Sequence, residues 1–474
     1  MSTVAVTYGN LRIAPYELVS FQNLTISKEL NDHARLTMTG IVPEDKKESY
    51  VEMTEADTTI EVSQVDEQGN SIPLFHGIVL NVGVKAVRGV YHLEVEAVSH
   101  TYLLDVKKKN RSFQNHGMTY DELLDLVAAD YEGFDVMDEA TGGASIGNFT
   151  MQYQETDWEF LKRLASRFYT SLMPASTFSY PKFYFGVYDT PSKGKLDNYH
   201  YQVGKKVSDF LYHSANDGAS LDENDFMFYE VETEKVLDLG NAVEFQGRLL
   251  YVRSTRSEMR NGLLVHRYVL CSRRGLRQRR LYNERIIGAS IQGRVIGIQK
   301  DTVQVHLYMD KKQDKATAHC FPYASMYTAE GNSGWYCMPE VGDHVRVYFP
   351  GSKEEEGVAS SSVRQNSEEG QSNKLGNPDM KYFRTAAGKE LLMGPEEIVI
   401  TGKDGEIFIR LNESGGIEIS SSQMIKLIAK EDIMIDAGQN VAISAKEEIS
   451  LTCKESNLLM NGSTKIIGTE LNTN

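Results

Sequence analysis

From Gly416 the chain reads GIEISSSQ (416–423), MIKLIAKE (424–431), DIMIDAGQ (432–439), NVAISAKE (440–447), EISLTCKE (448–455), SNLLMNGS (456–463) and TKIIG (464–468), an eight-residue repeat whose register never slips. Its second position holds Ile417, Ile425, Ile433, Val441 and Ile449, and gives way to Asn457 and Lys465 in the last two blocks. The fourth position holds Ile419, Leu427, Ile435, Ile443, Leu451, Leu459 and Ile467. Residues two apart on a strand share a face, so each of the first five blocks aims two aliphatic side chains the same way. A period of eight would scatter these positions around a helix, and β-branched isoleucine favours strand. Eight extended residues span only about 26 Å before any corner, too little to encircle a packed core, so each block is one side of a triangular coil.

Two architectures satisfy that geometry: three blocks of one chain per turn, or one block from each of three chains. About seven blocks would give a lone chain barely two turns, below the three or so repeats a solenoid needs. The expectation is an intertwined triple-stranded β-helix in a homotrimer, with the aliphatic positions named above as its core. At about 1.5–3 kcal/mol for each buried Ile or Leu, that core would contribute about 20–35 kcal/mol per chain, an upper bound before chain entropy. A single chain could bury almost none of it, so folding and trimerisation of the segment are expected to be coupled. Ile398/Ile400 and Ile407/Ile409 open the pattern with looser spacing, which sets the repeat domain at 381–474.

Upstream, residues 356–380 read as a linker, because from Gly351 to about Asp379 the sequence turns to Gly, Ser, Glu, Asn and Gln, including Glu354-Glu355-Glu356. Residues 285–355 hold five short strands, among them Arg294–Ile298, the alternating Val303, Val305 and Leu307 after a turn at Lys300-Asp301, and Val345–Phe349. That spacing suits a small OB-type barrel. Residues 1–110 alternate as strands, as in Thr58–Val62, Phe75–Val79 and Tyr91–Ala97, and are expected to form a first barrel. Residues 111–284 carry two helices opened by Thr-x-x-Glu capping boxes at Thr119 and Thr156, followed by a second barrel. In the second helix Trp158, Leu161, Ala165 and Phe168 form the stripe expected to pack onto a barrel, with Lys162, Arg163 and Arg167 elsewhere.

The chain as a whole is mainly β with a few helices, and 474 residues require several cores. No run of about 18 apolar residues could span a bilayer, and the N-terminus lacks the basic start and apolar middle of a signal peptide, so cytoplasmic synthesis without export is expected. Cys271, Cys320, Cys337 and Cys453 form no C-x-x-C pair, which fits a reducing compartment. A net charge of −16 disfavours general binding to phosphate backbones or anionic membranes. The basic stretch Arg273-Arg274-Gly275-Leu276-Arg277-Gln278-Arg279-Arg280 lacks interleaved aromatics to stack bases, so it is read as an interface or solvated strand, and no specific nucleic acid is expected as a partner.

No catalytic constellation emerges. There is no His-Glu-x-x-His helix, P-loop or Rossmann glycine run, and Gly143-Ala144-Ser145-Ile146-Gly147 matches a nucleophile elbow only in letters, without the flanking strand and helix. Asp121 and Glu122 belong to a capping turn, and His76 and His319 are read as structural. No catalytic, cofactor or metal residue is assigned, and a non-enzyme is expected.

Glu155-Thr156-Asp157-Trp158-Glu159-Phe160-Leu161-Lys162-Arg163-Leu164-Ala165, the segment Gly334–Phe349, Arg384–Leu391 and the octads together resemble the VgrG spike family, which includes the phage late control D proteins. The resemblance runs along most of the chain. It implies two hub barrels (1–110 and 111–284), an OB domain and a triple-stranded β-helical needle. It implies a trimeric spike and baseplate hub of a contractile injection system, of type VI, phage-tail or extracellular-particle class, which punctures a target envelope. Implied partners are an Hcp-like inner tube protein, a PAAR-type tip protein, baseplate components and non-fused effectors. Assembly is expected in the bacterial cytoplasm, followed by delivery outside or into a target cell. No fused effector or lysozyme domain is expected, and no ion-binding His-x-His tip, since no histidine follows His344. The competing readings are a glycan-degrading or adhesive β-helical trimer of a phage tail, and an OB protein that binds nucleic acid.

Overall fold

The computed structural model describes every residue except 1–5, 67–68, 189, 198–199, 218–220, 327–333, 335, 362–376, 461, 463–468 and 471–474. Two compact units divide the chain, Met1–Gln365 and Asn366–Asn474. Among the described residues, no helix is long and apolar enough to cross a membrane.

The first unit is built on an eleven-stranded sheet. Alternation of apolar and polar residues makes its N-terminal strands: in Arg35–Val42, Leu36, Met38 and Val42 turn inward, joined by Leu24, Ile26, Ile60, Val62, Phe75, Leu93 and Val95 in one core. The three sequence-derived strands lie within Thr59–Val65, Ser71–Val87 and Val90–Ser99. Strand Ser20–Glu29 then pairs antiparallel with the thirteen-residue strand Arg248–Arg260, running from Ser254 opposite Glu29 to Glu258 opposite Thr25. This pairing joins the two segments, 1–110 and 111–284, expected to form the hub barrels. One ladder runs through both segments, because an unpaired edge on Ser20–Glu29 would leave a row of backbone groups unsatisfied. Among the described residues, no ladder closes a sheet on itself.

Among the described residues, four short α-helices accompany the strands: α1 (Ser49–Glu52), α2 (Tyr120–Ala128), α3 (Asp157–Ser166) and α4 (Val207–Asn216). Both expected capping boxes form. The Thr119 hydroxyl accepts from the Glu122 amide at 3.2 Å while the Glu122 carboxylate accepts from the Thr119 amide at 2.8 Å, and Thr156 and Glu159 repeat the exchange at 3.1 and 3.0 Å. The apolar stripe of α3 packs against α2 and a three-stranded sheet (Asp135–Asp138, Leu172–Pro174, Lys182–Phe185), not onto a barrel, in a core containing Trp158, Leu161, Leu164, Leu123, Phe183 and Phe185.

The five expected strands near 285–355 are Ser290–Gln299, Thr302–Leu307, Cys320–Pro322, His344–Tyr348 and Val358–Ser361, in sheet order third, second, first, fourth, fifth. The two edge strands meet at a single bridge between Tyr323 and Ala359, where the Ala324 amide donates to the Ala359 carbonyl at 2.8 Å. Val295, Val303, Val305, Leu307, Val345, Val347 and Phe349 fill this core, and Phe149 and Met151 enter it from the hub segment. The fifth strand lies inside the stretch read as a linker: polar composition there hides a strand whose inward residue is the small Ala359.

In the second unit Lys381–Arg384, Glu390–Met393, Glu397–Lys403, Ile407–Asn412 and Gly416–Ser421 form an antiparallel meander. Its turns fall at glycines with left-handed backbone, Gly405 (φ +70°) and Gly416 (φ +76°). Ile449–Cys453 and Ser456–Met460 make a hairpin, and residues 422–448 between them carry no strand.

Candidate functional site

Directly opposite residues of an antiparallel pair share a face, so the meander register sorts its side chains. Ile398 lies opposite Leu411, which lies opposite Ile417; Ile400 lies opposite Ile409, which lies opposite Ile419. Leu391 and Met393 extend the same rows through Ile400 and Ile398. All eight are exposed, Ile417 at 74%, so one entire face of the sheet is an uncovered aliphatic surface. The opposite face carries ion pairs beside Leu392, Val399 and Phe408: Arg410 reaches Glu397 at 3.2 Å and Glu418 at 3.0 Å. Every buried apolar cluster of the described residues lies before residue 360.

Beyond Ser421 the aliphatic positions continue without strand partners. Ile425, Leu427, Ile433, Ile435, Val441 and Ile443 are all exposed, with Leu427 at 72% and Ile435 at 71%. In the hairpin, Ile449 lies opposite Met460 and Leu451 opposite Leu458, whereas Leu459 lies opposite Ser450. Leu459 therefore falls on the other face from Leu451 in this chain, and Leu458 takes the place that the octad register gave it. The tight turn at Lys454-Glu455, with Lys454 at φ +50°, fixes that pairing. Ile467 lies outside the described residues.

A second constellation joins the hub segment to the five-stranded unit. Arg163 of α3, 5% exposed, donates Nε and Nη2 to Glu155 at 2.8 Å each, Nη1 to Glu354 at 2.9 Å and Nη2 to the Met151 carbonyl at 2.7 Å. Arg167 also donates to Glu354, and the Met151 amide donates to Glu354 Oε2 at 2.9 Å. Burial works against the charge on Arg163, yet Glu354 and Glu155 outweigh it and raise its pKa. Burial pushes the Glu155 pKa up from its usual range, and the Arg163 guanidinium opposes that rise. Arg163 is thus part of the interior, contrary to the reading that set it apart from the packed stripe. Nearby, the buried Asp157 carboxylate accepts from Lys109, Arg111 and the Tyr131 hydroxyl at 2.5 Å and from Gln152 at 3.0 Å. Burial, then the bond to Asp157, raises the Tyr131 pKa. Ser112 gives its amide (2.7 Å) and hydroxyl (2.5 Å) to Asp310 of the five-stranded unit.

The weaker sequence candidates are not drawn together. Ser145 bridges Thr119 in a loop, His319 stacks on Phe149 with its Nδ1 2.8 Å from His116 Nε2, and His76 lies beside His100 in the first hub segment. Glu354 was missed, and the signal that could have found it is three consecutive glutamates shortly after the strand His344–Tyr348.

Residues 23–167, from the first long strand through α3 with its buried arginine, match the family model described as phage tail baseplate hub (GPD). This segment is similar to baseplate-hub domains. Solved structures extend the hub domain's likeness over most of the chain. The Escherichia coli c3393 protein, described as a type VI secretion component structurally similar to the bacteriophage T4 tail proteins gp27 and gp5, matches with a TM-score of 0.52 at 13% identity over 74% of this chain and 98% of that one. The lidded Francisella PdpA-VgrG complex matches at 0.56 with 9% identity, covering 84% of this chain and 76% of that one. Its half-lidded form matches at 0.54 with 10% identity, covering 88% and 87%. At such identities the likeness establishes the fold. No curated protein sequence matches significantly. The family-model match and the likeness of fold point the same way as the resemblance read from the sequence.

Proposed function

We propose that the chain acts as a homotrimer in which three copies of the C-terminal repeat wind into one triple-stranded β-helical spike, carried on a hub made by the first unit. The observation that carries this reading is the uncovered aliphatic ladder, which continues from the meander face through residues 422–448. A soluble protein rarely leaves so contiguous an apolar surface without a partner. The eight-residue period fits one block from each of three chains, and backbone groups with no partner in their own chain would find one in a neighbour.

In this reading the role is mechanical, not enzymatic. The hub continues the symmetry of an Hcp-like inner tube, baseplate components hold it, and a contracting sheath drives the spike through the target envelope. A PAAR-type protein covers the tip, and non-fused effectors travel with it. The particle assembles in the bacterial cytoplasm before delivery. A VgrG in complex with PdpA among the similar structures supports assembly with other components.

The test is sedimentation equilibrium of the full chain, with copurification of a co-expressed tube protein. Three chain masses and tube retention are expected. A monomer whose residues 422–448 exchange amide hydrogens at the unfolded rate would overturn the reading. Release of sugar from purified cell wall would favour the glycan-degrading alternative.

A further inference from the structure

The basic stretch Arg273–Arg280 lines, through Arg277 and Arg279, a cavity of about 370 Å³ in the first unit. Lys162 of α3 and Arg253 of the strand Arg248–Arg260 complete its positive wall, and Glu29 and Asp209 are its carboxylates. Asp217 neutralises Arg277 from behind at 3.1 Å, and cations still remain in excess. That excess is notable on a chain of net charge −16.

The guanidinium groups are held in place before any ligand arrives. Arg277 lies over the Tyr169 ring at 4.6 Å, Arg279 lies over Tyr212 at 4.5 Å while bonding Asp209 at 2.9 Å, and Arg253 donates to the Gly275 carbonyl at 3.1 Å. Stacked, tethered guanidinium groups lose little freedom when they bind, which suits a planar fork to an oxyanion. Arg277 Nε is buried without a hydrogen-bond partner, an uncommon condition for a donor in a folded interior.

We propose that this cavity binds the phosphate group of a small ligand, with Lys162, Arg253, Arg277 and Arg279 facing its oxygens. Its volume is that of a small-molecule site, too small for a nucleic-acid strand. The ligand would offset the excess positive charge of the cavity wall. This role is independent of the spike reading, since it concerns a pocket within one chain.

The experiment is isothermal titration of the full-length protein at low ionic strength with inorganic phosphate and, separately, adenosine monophosphate, against matched chloride. One saturable site per chain is expected for at least one ligand, and the better ligand separates a free ion from a nucleotide-borne group. Arg279→Gln, which changes a half-exposed side chain, should weaken binding by about tenfold or more, the loss of roughly one charge-assisted contact. Glu29→Gln should tighten it, and the distant exposed Lys107→Gln should leave it unchanged. Lys162→Gln replaces Arg279→Gln if that variant unfolds by circular dichroism. No saturable heat with either ligand, or equal weakening by Arg279→Gln and Lys107→Gln, would overturn the proposal.

Discussion

Arg163 and Glu354 stand 191 residues apart, and the bond between them crosses from the hub domain to the five-stranded unit with both side chains almost entirely shielded from water. Removing one member of a buried pair strands the other's charge, at a cost of about 3–5 kcal/mol. Glu354→Ala is therefore expected to lower the stability of the first unit by about that much in urea unfolding, whereas Glu355→Ala, exposed one position on, should change it by under about 0.5 kcal/mol. Two buried histidines and the half-buried His319 act in the opposite direction from a paired charge. Burial pushes His100, His266 and His319 down to about 4 from 6.5. Between those values the unfolded chain binds protons that the folded chain refuses, so stability is full above pH 6.5 and falls as pH drops toward 4. Unfolding midpoints measured across that window should decline with acidity, and His266→Gln should flatten part of the slope.

At the scale of elements, α3 shows how a local signal and a distant one combine. Thr156 caps the helix and also donates its hydroxyl to Asp105, so Thr156→Ala should cost about 1–2 kcal/mol by thermal unfolding, more than an isolated cap. If the aliphatic face of the meander is where copies meet, Ile419→Asp should abolish the trimer in sedimentation. Glu418→Gln, one residue away on the opposite face, should leave it intact. Both capping boxes and the strand alternation were legible in the sequence because they are set by neighbours two to four residues apart. The partner of Arg163 was not, since its identity depends on where the chain returns after nearly two hundred residues. The same limit explains the hub: the strands were readable one by one, while the pairing of Ser20–Glu29 with Arg248–Arg260 was not.

For the whole molecule, the two units differ in what could hold them. The first contains every buried apolar cluster of the described residues and has the means to fold as a single chain. The second presents its aliphatic residues to solvent, so its stability should depend on association. Its unfolding midpoint is expected to rise with total chain concentration while that of the first unit stays fixed, a difference readable by calorimetry at two concentrations.

Periodicity by itself fixed where the aliphatic residues of the C-terminal repeat stand and predicted strands that the structure forms at Gly416–Ser421, Ile449–Cys453 and Ser456–Met460, because the side-chain direction of a strand depends only on odd or even position. Tertiary structure alone decided which strands pair, that Leu458 and not Leu459 shares a face with Leu451, and that a glutamate in a polar run is locked inside. Those outcomes turn on contacts between residues far apart in the chain, where a one-residue shift in a turn reverses a face and a distant arginine changes the cost of burying a charge.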